Sequence, residues 1–276
     1  MAHPHDDLGT CTALLRQDWR DMYLANLLLP DASRPLATAL YGFHNEIVKA
    51  MAQVREPMAG EVRLQWWREV LQGDRAGEAD GNPLARLLLS QLSAFDLDAS
   101  PLIAKCDAHI FDLYQDPMAD RTMLEGYCGE TRSVLLQMLA MGAGASAGQV
   151  SNASGHGGVA QGVLAICYNL EAARRAGQCY VPRDLLVACG MAVEDFLAAD
   201  TADVAPVLAG LLDLATDHLS KASEARGNLP ESLQTVYKPL ALTALDLAHA
   251  RKQGVALLTS PKRTGLLRRQ WALWRG

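Results

Sequence analysis

The sequence lacks CxxC pairs, an excess of basic residues and long apolar runs, and each absence argues against a class of protein. Its six cysteines are scattered, which argues against a zinc ribbon and a disulfide framework. The formal net charge is −6, whereas a general nucleic-acid binder usually carries a basic excess, so we expect no nucleic-acid partner. No stretch approaches the roughly 18 consecutive apolar residues of a membrane span. The N-terminus lacks the apolar core of a signal peptide, so we expect a cytoplasmic protein.

The sequence also lacks strand signals, because no segment alternates apolar and polar residues for long enough to predict a strand. Apolar residues instead recur at helical spacing. The clearest run on one predicted helix face is Leu36, Leu40, Phe43, Ile47, Met51 and Val54. Half of the 276 residues are hydrophobic, which is enough to bury a full core. We predict an all-α, single-domain helical bundle over 1–276, with a disordered N-terminus near 1–7 and a basic C-terminal helix near 261–276.

Five blocks of the sequence, taken in order, resemble the squalene/phytoene synthase family. The first block is residues 23–43, YLANLLLPDASRPLATALYGF, in which a leucine-leucine-proline turn and an arginine precede ALYGF. The later blocks are Asp112-Leu113, Tyr127-Cys128, Gly158 to Gln161 and Gly177 to Pro182. The resemblance covers residues 15–250 and implies a helical bundle of the isoprenoid synthase type.

The chemistry that this resemblance implies depends on aspartates that the chain does not have. The family condenses two prenyl diphosphates, and Mg²⁺ held by two DxxxD motifs neutralises the leaving diphosphate. Mg²⁺ prefers oxygen ligands, and a spacing of four residues puts both carboxylates on one helix face. The matching positions are Val48, Ala52, Asn169 and Ala173, and none is a carboxylate. A one-residue gap would move the second pair to Tyr168 and Ala172, which are not carboxylates either. We therefore expect no catalytic residue, no metal site and no cofactor, with Mg²⁺ needed only if the chain is an active prenyltransferase.

A literal DxxxD does occur at Asp213 and Asp217. It lies far beyond the second family block, on a predicted amphipathic helix. A solvated helix face is the favoured interpretation, because charged residues opposite an apolar stripe normally face water.

Several stretches resemble a particular subgroup, the phytoene-synthase-like assembly factors of respiratory complex I. These stretches are Val54 to Pro57, Gly60 to Trp67, Glu130 to Leu136, Gly155 to Gly162, and Leu266-Leu267 together with Trp274-Arg275. In that subgroup the aspartate motifs are degraded. The resemblance implies a non-catalytic protein that acts in complex I assembly, with complex I subunits or assembly proteins as partners.

Two other functions remain compatible with the sequence. One is an active prenyltransferase of the phytoene or squalene synthase type, and the other is a lipid-binding bundle without chemistry. Eight residues match cavity or near-cavity positions of the family: Tyr23, Arg34, Tyr41, Asn45, Asp112, Tyr127, Gln161 and Tyr180. They could line a retained isoprenoid or lipid pocket, or they could brace the bundle.

The basic segment 261–276 also has two interpretations. It could contact acidic lipid headgroups, which would make the protein peripheral to the inner membrane. It could equally be a capping helix whose basic face is solvated.

Overall fold

The computed structural model describes residues 6–276, and this part of the chain is helical without any β-strand. The helices are α1 (Asp7–Asp18), α2 (Arg20–Asn26), α3 (Arg34–Gln53), α4 (Pro57–Gln72), α5 (Ala76–Ala79), α6 (Pro83–Ala94), α7 (Ser100–Ala108), α8 (Arg121–Cys128), α9 (Val134–Gly142), α10 (Ala147–Arg175), α11 (Arg183–Ala188), α12 (Val193–Ala198), α13 (Ala205–Gly227), α14 (Glu231–Gln234), α15 (Pro239–Gln253), α16 (Ala256–Thr259) and α17 (Leu266–Arg275). The all-α prediction is confirmed. None of the helices in residues 6–276 combines the length and apolar character that crossing a bilayer requires.

The predicted disordered N-terminus is wrong at its last two positions. Asp6 caps α1, because its carboxylate accepts a hydrogen bond of 2.7 Å from the backbone N–H of Gly9. Asp7 begins the helix and lies 2.5 Å from the guanidinium of Arg86 on α6. Capping and this ion pair hold the helix start in place. Residues 1–5, the rest of the predicted segment, lie outside the described residues.

The apolar face predicted on α3 is buried as a unit. Leu36, Phe43 and Ile47 are at most 1% exposed. Full burial of such side chains contributes about 1.5–3 kcal/mol each, so this face holds α3 in the core. Val54, the last residue of the predicted helix face, lies outside the helix, because α3 ends at Gln53 and the backbone of Val54 is extended.

The 29-residue helix α10 is shared by two hydrophobic clusters. Its first half contributes Val150 and Ala153 to the cluster that contains α3 and α9. Its second half contributes Val163 and Leu164 to the cluster that contains α13. The two apolar regions are therefore connected through one continuous helix. That the chain forms a single domain stays a prediction.

Glycines on α10 allow an unusually close helix contact. A Cβ atom on Gly158 would lie 2.3 Å from the Cα of Ser133, and one on Gly162 would lie 2.5 Å from the Sγ of Cys128. Ser133 ends a π-helical turn, Gly129–Ser133, that joins α8 to α9. Its hydroxyl donates a 2.8 Å hydrogen bond to the carbonyl oxygen of Gly155. The backbones of α10 and this turn are thus in direct contact.

We predict that Gly158→Ala destabilises the protein by about 1–3 kcal/mol, because the new methyl group must displace backbone atoms of Ser133. Gly155→Ala is the matched control on the same helix, since nothing lies within 4 Å of a Cβ built there. That control should stabilise the fold by up to about 1 kcal/mol. Urea unfolding followed by circular dichroism measures both values. Equal free energies of unfolding for the two variants would contradict the close contact.

Candidate functional site

A cavity of about 560 Å³ lies between α2, α3, α9, α10, α15 and α17. Helices α3 and α10 each contribute four residues to its wall. The wall from α3 contains Tyr41, His44, Asn45 and Val48, and the wall from α10 contains Gln161, Leu164, Ala165 and Asn169. Spacings of three and four residues place each set on one helix face. Local helix periodicity therefore decides which side chains face the cavity.

Of the four motif positions predicted from the sequence, two lie in the cavity wall and two lie outside it. Val48 on α3 and Asn169 on α10 both line the cavity. The side-chain amide of Asn169 donates to the carbonyl oxygen of Ala165 at 2.9 Å. Ala52 is exposed and Ala173 is half-buried, and neither is among the lining residues. The first position of each motif thus faces the cavity with a side chain that carries no charge.

The eight predicted cavity residues occupy three places. Tyr41, Asn45 and Gln161 line the cavity, while Asp112, Tyr127 and Tyr180 form a separate cluster behind the wall. Tyr23 and Arg34 lie outside the lining. The guanidinium of Arg34 donates to the carbonyl oxygens of Leu27 and Leu29, each at 3.0 Å, and so holds the leucine-leucine-proline turn together. The guanidinium carbon of Arg16 lies 5.9 Å from the ring centroid of Tyr23.

The cluster behind the wall is centred on the carboxylate of Asp112. One oxygen accepts hydrogen bonds from the hydroxyls of Tyr127 at 2.7 Å and Tyr180 at 2.8 Å. The other lies 2.6 Å from Nδ1 of His109. Three donors to one buried carboxylate stabilise its ionised form. Burial by itself would raise the pKa of Asp112, but the hydrogen bonds from His109, Tyr127 and Tyr180 outweigh it and hold the pKa below its usual range.

A fully buried lysine connects this cluster to the cavity, and the sequence analysis missed it. The Nζ of Lys105 lies 2.6 Å from the carbonyl oxygen of Thr131, 2.8 Å from Nδ1 of His44 and 3.2 Å from Nε2 of His109. Lys105 is 0% exposed. The only signal in the sequence is its place between buried neighbours on α7, where Leu102 and Cys106 also face the core.

Burial determines the protonation of this network. Desolvation and the positive charge of Arg132 lower the pKa of Lys105 well below its usual value. Desolvation and the charge of Lys105 also lower the pKa of His44, and they bring the pKa of His109 to about 4. Both imidazoles are therefore neutral near pH 7. His109 donates through Nδ1 to Asp112 and accepts through Nε2 from Lys105, which fixes its tautomer.

The lowered pKa of His109 predicts that the fold loses stability in mild acid. The unfolded state binds a proton near pH 6.5 and the folded state only near pH 4, so stability present above pH 6.5 is lost as the pH falls towards 4. The contribution of His109 is about 2–3 kcal/mol by linkage. His109→Gln should flatten the pH dependence of the free energy of unfolding in this window, measured by urea titration. A slope unaffected by His109→Gln would refute the assignment.

The carboxylates that do line the cavity are paired with cations. Asp18 accepts from Lys49 at 2.9 Å. Asp21 accepts from Nε of Arg269 at 3.0 Å and from Nη2 at 2.7 Å. Asp246, which is 3% exposed, accepts from both Arg263 and Arg269. Arg269 on α17 thereby joins α2 to α15, a connection that no local sequence pattern indicates.

Two arginines of the cavity wall, Arg20 and Arg132, have no such partner among residues 6–276, and Arg132 is the less exposed of the two. Within residues 6–276, Arg132 makes no ion pair, and its guanidinium carbon lies 6.0 Å from the ring centroid of Trp19. Burial lowers its pKa, although an arginine remains charged at neutral pH. The cavity therefore carries a positive charge suited to an anionic group.

The literal DxxxD of Asp213 and Asp217 lies on the surface, as its interpretation as a solvated face expects. These side chains are 71% and 47% exposed and pair with Arg251 at 2.6 Å and Lys221 at 2.8 Å. Among residues 6–276, no group of three or more His, Cys, Asp or Glu side chains is arranged to hold a metal ion.

We predict that Arg269→Leu destabilises the fold by about 3–5 kcal/mol, because it leaves two carboxylates, one of them buried, short of their partner. The matched control is Lys221→Ala, which breaks the exposed pair with Asp217 and should cost less than about 1 kcal/mol. Thermal and urea unfolding of both variants measure the difference. Similar small losses for the two would show that Arg269 does not hold α17 in place.

Residues 15–275 match the squalene/phytoene synthase family. Among curated proteins, complex I assembly factor 6 of Rattus norvegicus is 27% identical over 254 residues, covering 88% of this chain and 76% of the rat protein. The Homo sapiens protein of the same name is 26% identical with the same coverage.

Two synthases have solved structures of similar fold. A dehydrosqualene synthase superposes with a TM-score of 0.81 at 17% identity, covering 98% of this chain and 94% of the synthase. A squalene synthase of Alicyclobacillus acidocaldarius gives a TM-score of 0.70 at 20% identity, with coverages of 96% and 94%. Identities this low establish the fold alone.

Proposed function

This chain belongs to the squalene/phytoene synthase family, and we propose that it acts in the assembly of respiratory complex I without transferring a prenyl group. The observation that carries the proposal is that Val48 on α3 and Asn169 on α10 line the same cavity. They stand where the family resemblance places the first aspartate of each motif, and neither is a carboxylate. Relatives that share 26–27% identity carry the name of complex I assembly factor 6, which supports the assembly role.

The remaining carboxylates do not fit the Mg²⁺ that the family implies. A diphosphate-bound Mg²⁺ needs carboxylate oxygens that are free to face the cavity. Asp18, Asp21 and Asp246 are each engaged by a lysine or by arginines. Recruiting them would break ion pairs that hold α17 and α3 in place. We therefore assign no metal-dependent step to this chain.

The cavity supports one further part of the proposal, a retained isoprenoid or lipid pocket. Its wall includes Leu135, Leu164 and Leu242 as well as the unpaired Arg132. Apolar burial contributes about 0.8 kcal/mol per CH₂ group and needs no metal. An isoprenoid chain could therefore be held by this wall with an anionic end near Arg132. Complex I subunits or other assembly proteins are the proposed partners.

Deletion of the gene tests the assembly role directly. We expect the deletion to lower NADH:quinone oxidoreductase activity and the amount of assembled complex I in native gels. Succinate:quinone oxidoreductase activity should stay unchanged, because it reports on a different complex. Complementation with the wild-type chain should restore complex I. Normal complex I in the deletion strain would remove the proposal.

An enzyme assay separates this function from the prenyltransferase alternative. Purified protein incubated with farnesyl or geranylgeranyl diphosphate and Mg²⁺ should release no diphosphate above a protein-free control. Binding of the same compounds, read by quenching of tryptophan fluorescence, should persist in EDTA if the cavity holds them without metal. Mg²⁺-dependent release of diphosphate would favour the active transferase.

A further inference from the structure

Helix α17 presents an apolar stripe to solvent. Leu267, Trp271 and Trp274 are 82%, 56% and 72% exposed. A helix turns by about 100° per residue, which places these three side chains within about 60° of one another. Two largely exposed tryptophans beside an exposed leucine form the kind of apolar surface that usually marks an interaction site.

Basic residues lie beside this stripe. Residues 261–276 contain five basic residues and no acidic one, whereas the whole chain carries a net charge of −6. Arg268 and Arg275 are exposed and lie on one flank of the stripe, about 80–100° from Leu267 around the helix. The guanidinium carbon of Arg275 lies 4.6 Å from the ring centroid of Trp271. A partner for this surface must therefore offer both an apolar region that the tryptophans can enter and negative charge near the arginines.

The opposite face of α17 is fixed to the protein. Arg269 is 6% exposed and is paired with Asp21 and Asp246, and Leu273 is 2% exposed. The apolar stripe is thus part of a rigid surface rather than a loose tail. The start of α17 and the residues before it border the cavity described above, since Arg263, Thr264 and Leu266 are among its lining residues.

We propose that α17 docks this protein on the surface of an anionic lipid bilayer. Trp271, Trp274 and Leu267 enter the interfacial region, where amphipathic aromatic rings are favoured. Arg268 and Arg275 lie at headgroup depth and bind lipid phosphates. Docking in this orientation brings the border of the cavity at Leu266 close to the bilayer. This inference does not depend on the assembly role, because it follows from the exposed face of α17 alone.

Co-sedimentation with vesicles tests the proposal on the full chain. We expect binding to vesicles of phosphatidylcholine mixed with phosphatidylglycerol, and much weaker binding to phosphatidylcholine alone. Arg268→Gln with Arg275→Gln should weaken binding by about 30-fold, given the usual contribution of two basic residues. Added salt should weaken the wild-type protein in the same direction. Trp271→Ala with Trp274→Ala should abolish binding and the blue shift of tryptophan emission that vesicles cause.

Matched controls keep the result specific to α17. Met58→Ser with Val62→Ser removes two exposed apolar residues of α4, which are 76% and 64% exposed. Arg55→Gln with Arg183→Gln removes two exposed arginines elsewhere on the surface. Both controls should bind anionic vesicles like the wild type, and unfolding curves show that every variant is folded.

Three outcomes would overturn the proposal. The wild-type protein could fail to bind anionic vesicles, or the α17 variants could bind as tightly as the controls. Light scattering could instead show a dimer that dissociates on Trp271→Ala with Trp274→Ala, which would assign the stripe to a second copy of this chain.

Discussion

The close contact between α10 and the π-helical turn Gly129–Ser133 is the constraint on which the cavity depends. It exists because Gly158 and Gly162 have no side chain at the point where the backbone of Ser133 and the thiol of Cys128 approach. The same turn carries Arg132 into the cavity wall and supplies the carbonyl oxygen of Thr131 to Lys105. This one contact therefore determines how α10 packs here and where Arg132 lies, and π-helical turns often occur at functional sites.

The same packing buries charged and titratable groups behind the cavity wall, and these groups are hydrogen-bonded to one another. Lys105 is buried with neutral histidines as partners, and His109 links it to the ionised Asp112. A buried charge is tolerated only when hydrogen bonds or counter-ions replace water. The chain of contacts from His44 to Asp112 meets that need with side chains from α3, α7 and the turn after α7. It gives the wall behind the cavity a defined geometry without any ligand.

The carboxylates that line the cavity are likewise neutralised by side chains of the protein itself. Arg269 and Arg263 engage Asp246 and Asp21, so the C-terminal segment supplies positive charge close to the cavity. In a metal-dependent synthase of this family, cations would come from Mg²⁺. Here Arg263 and Arg269 of the C-terminal segment place guanidinium groups beside the carboxylates. The same arginine that closes this network also orients the exposed tryptophans of α17 towards solvent.

The sequence by itself determined the helical class, the buried face of α3 and the family, because helical periodicity and ordered motif blocks are local properties of the chain. It also located Val48 and Asn169, since residues on regular helices keep their spacing to a recognised block. Only the tertiary structure decided that Lys105 meets His44 and His109, or that Arg269 meets Asp21 across 248 positions. Such contacts join separate helices, and their strength comes from burial, which no local pattern of residues reports. Asp112, Tyr127 and Tyr180 were three of the eight cavity candidates in the sequence, but only the packing showed that the two tyrosines share the carboxylate of Asp112 behind the cavity wall.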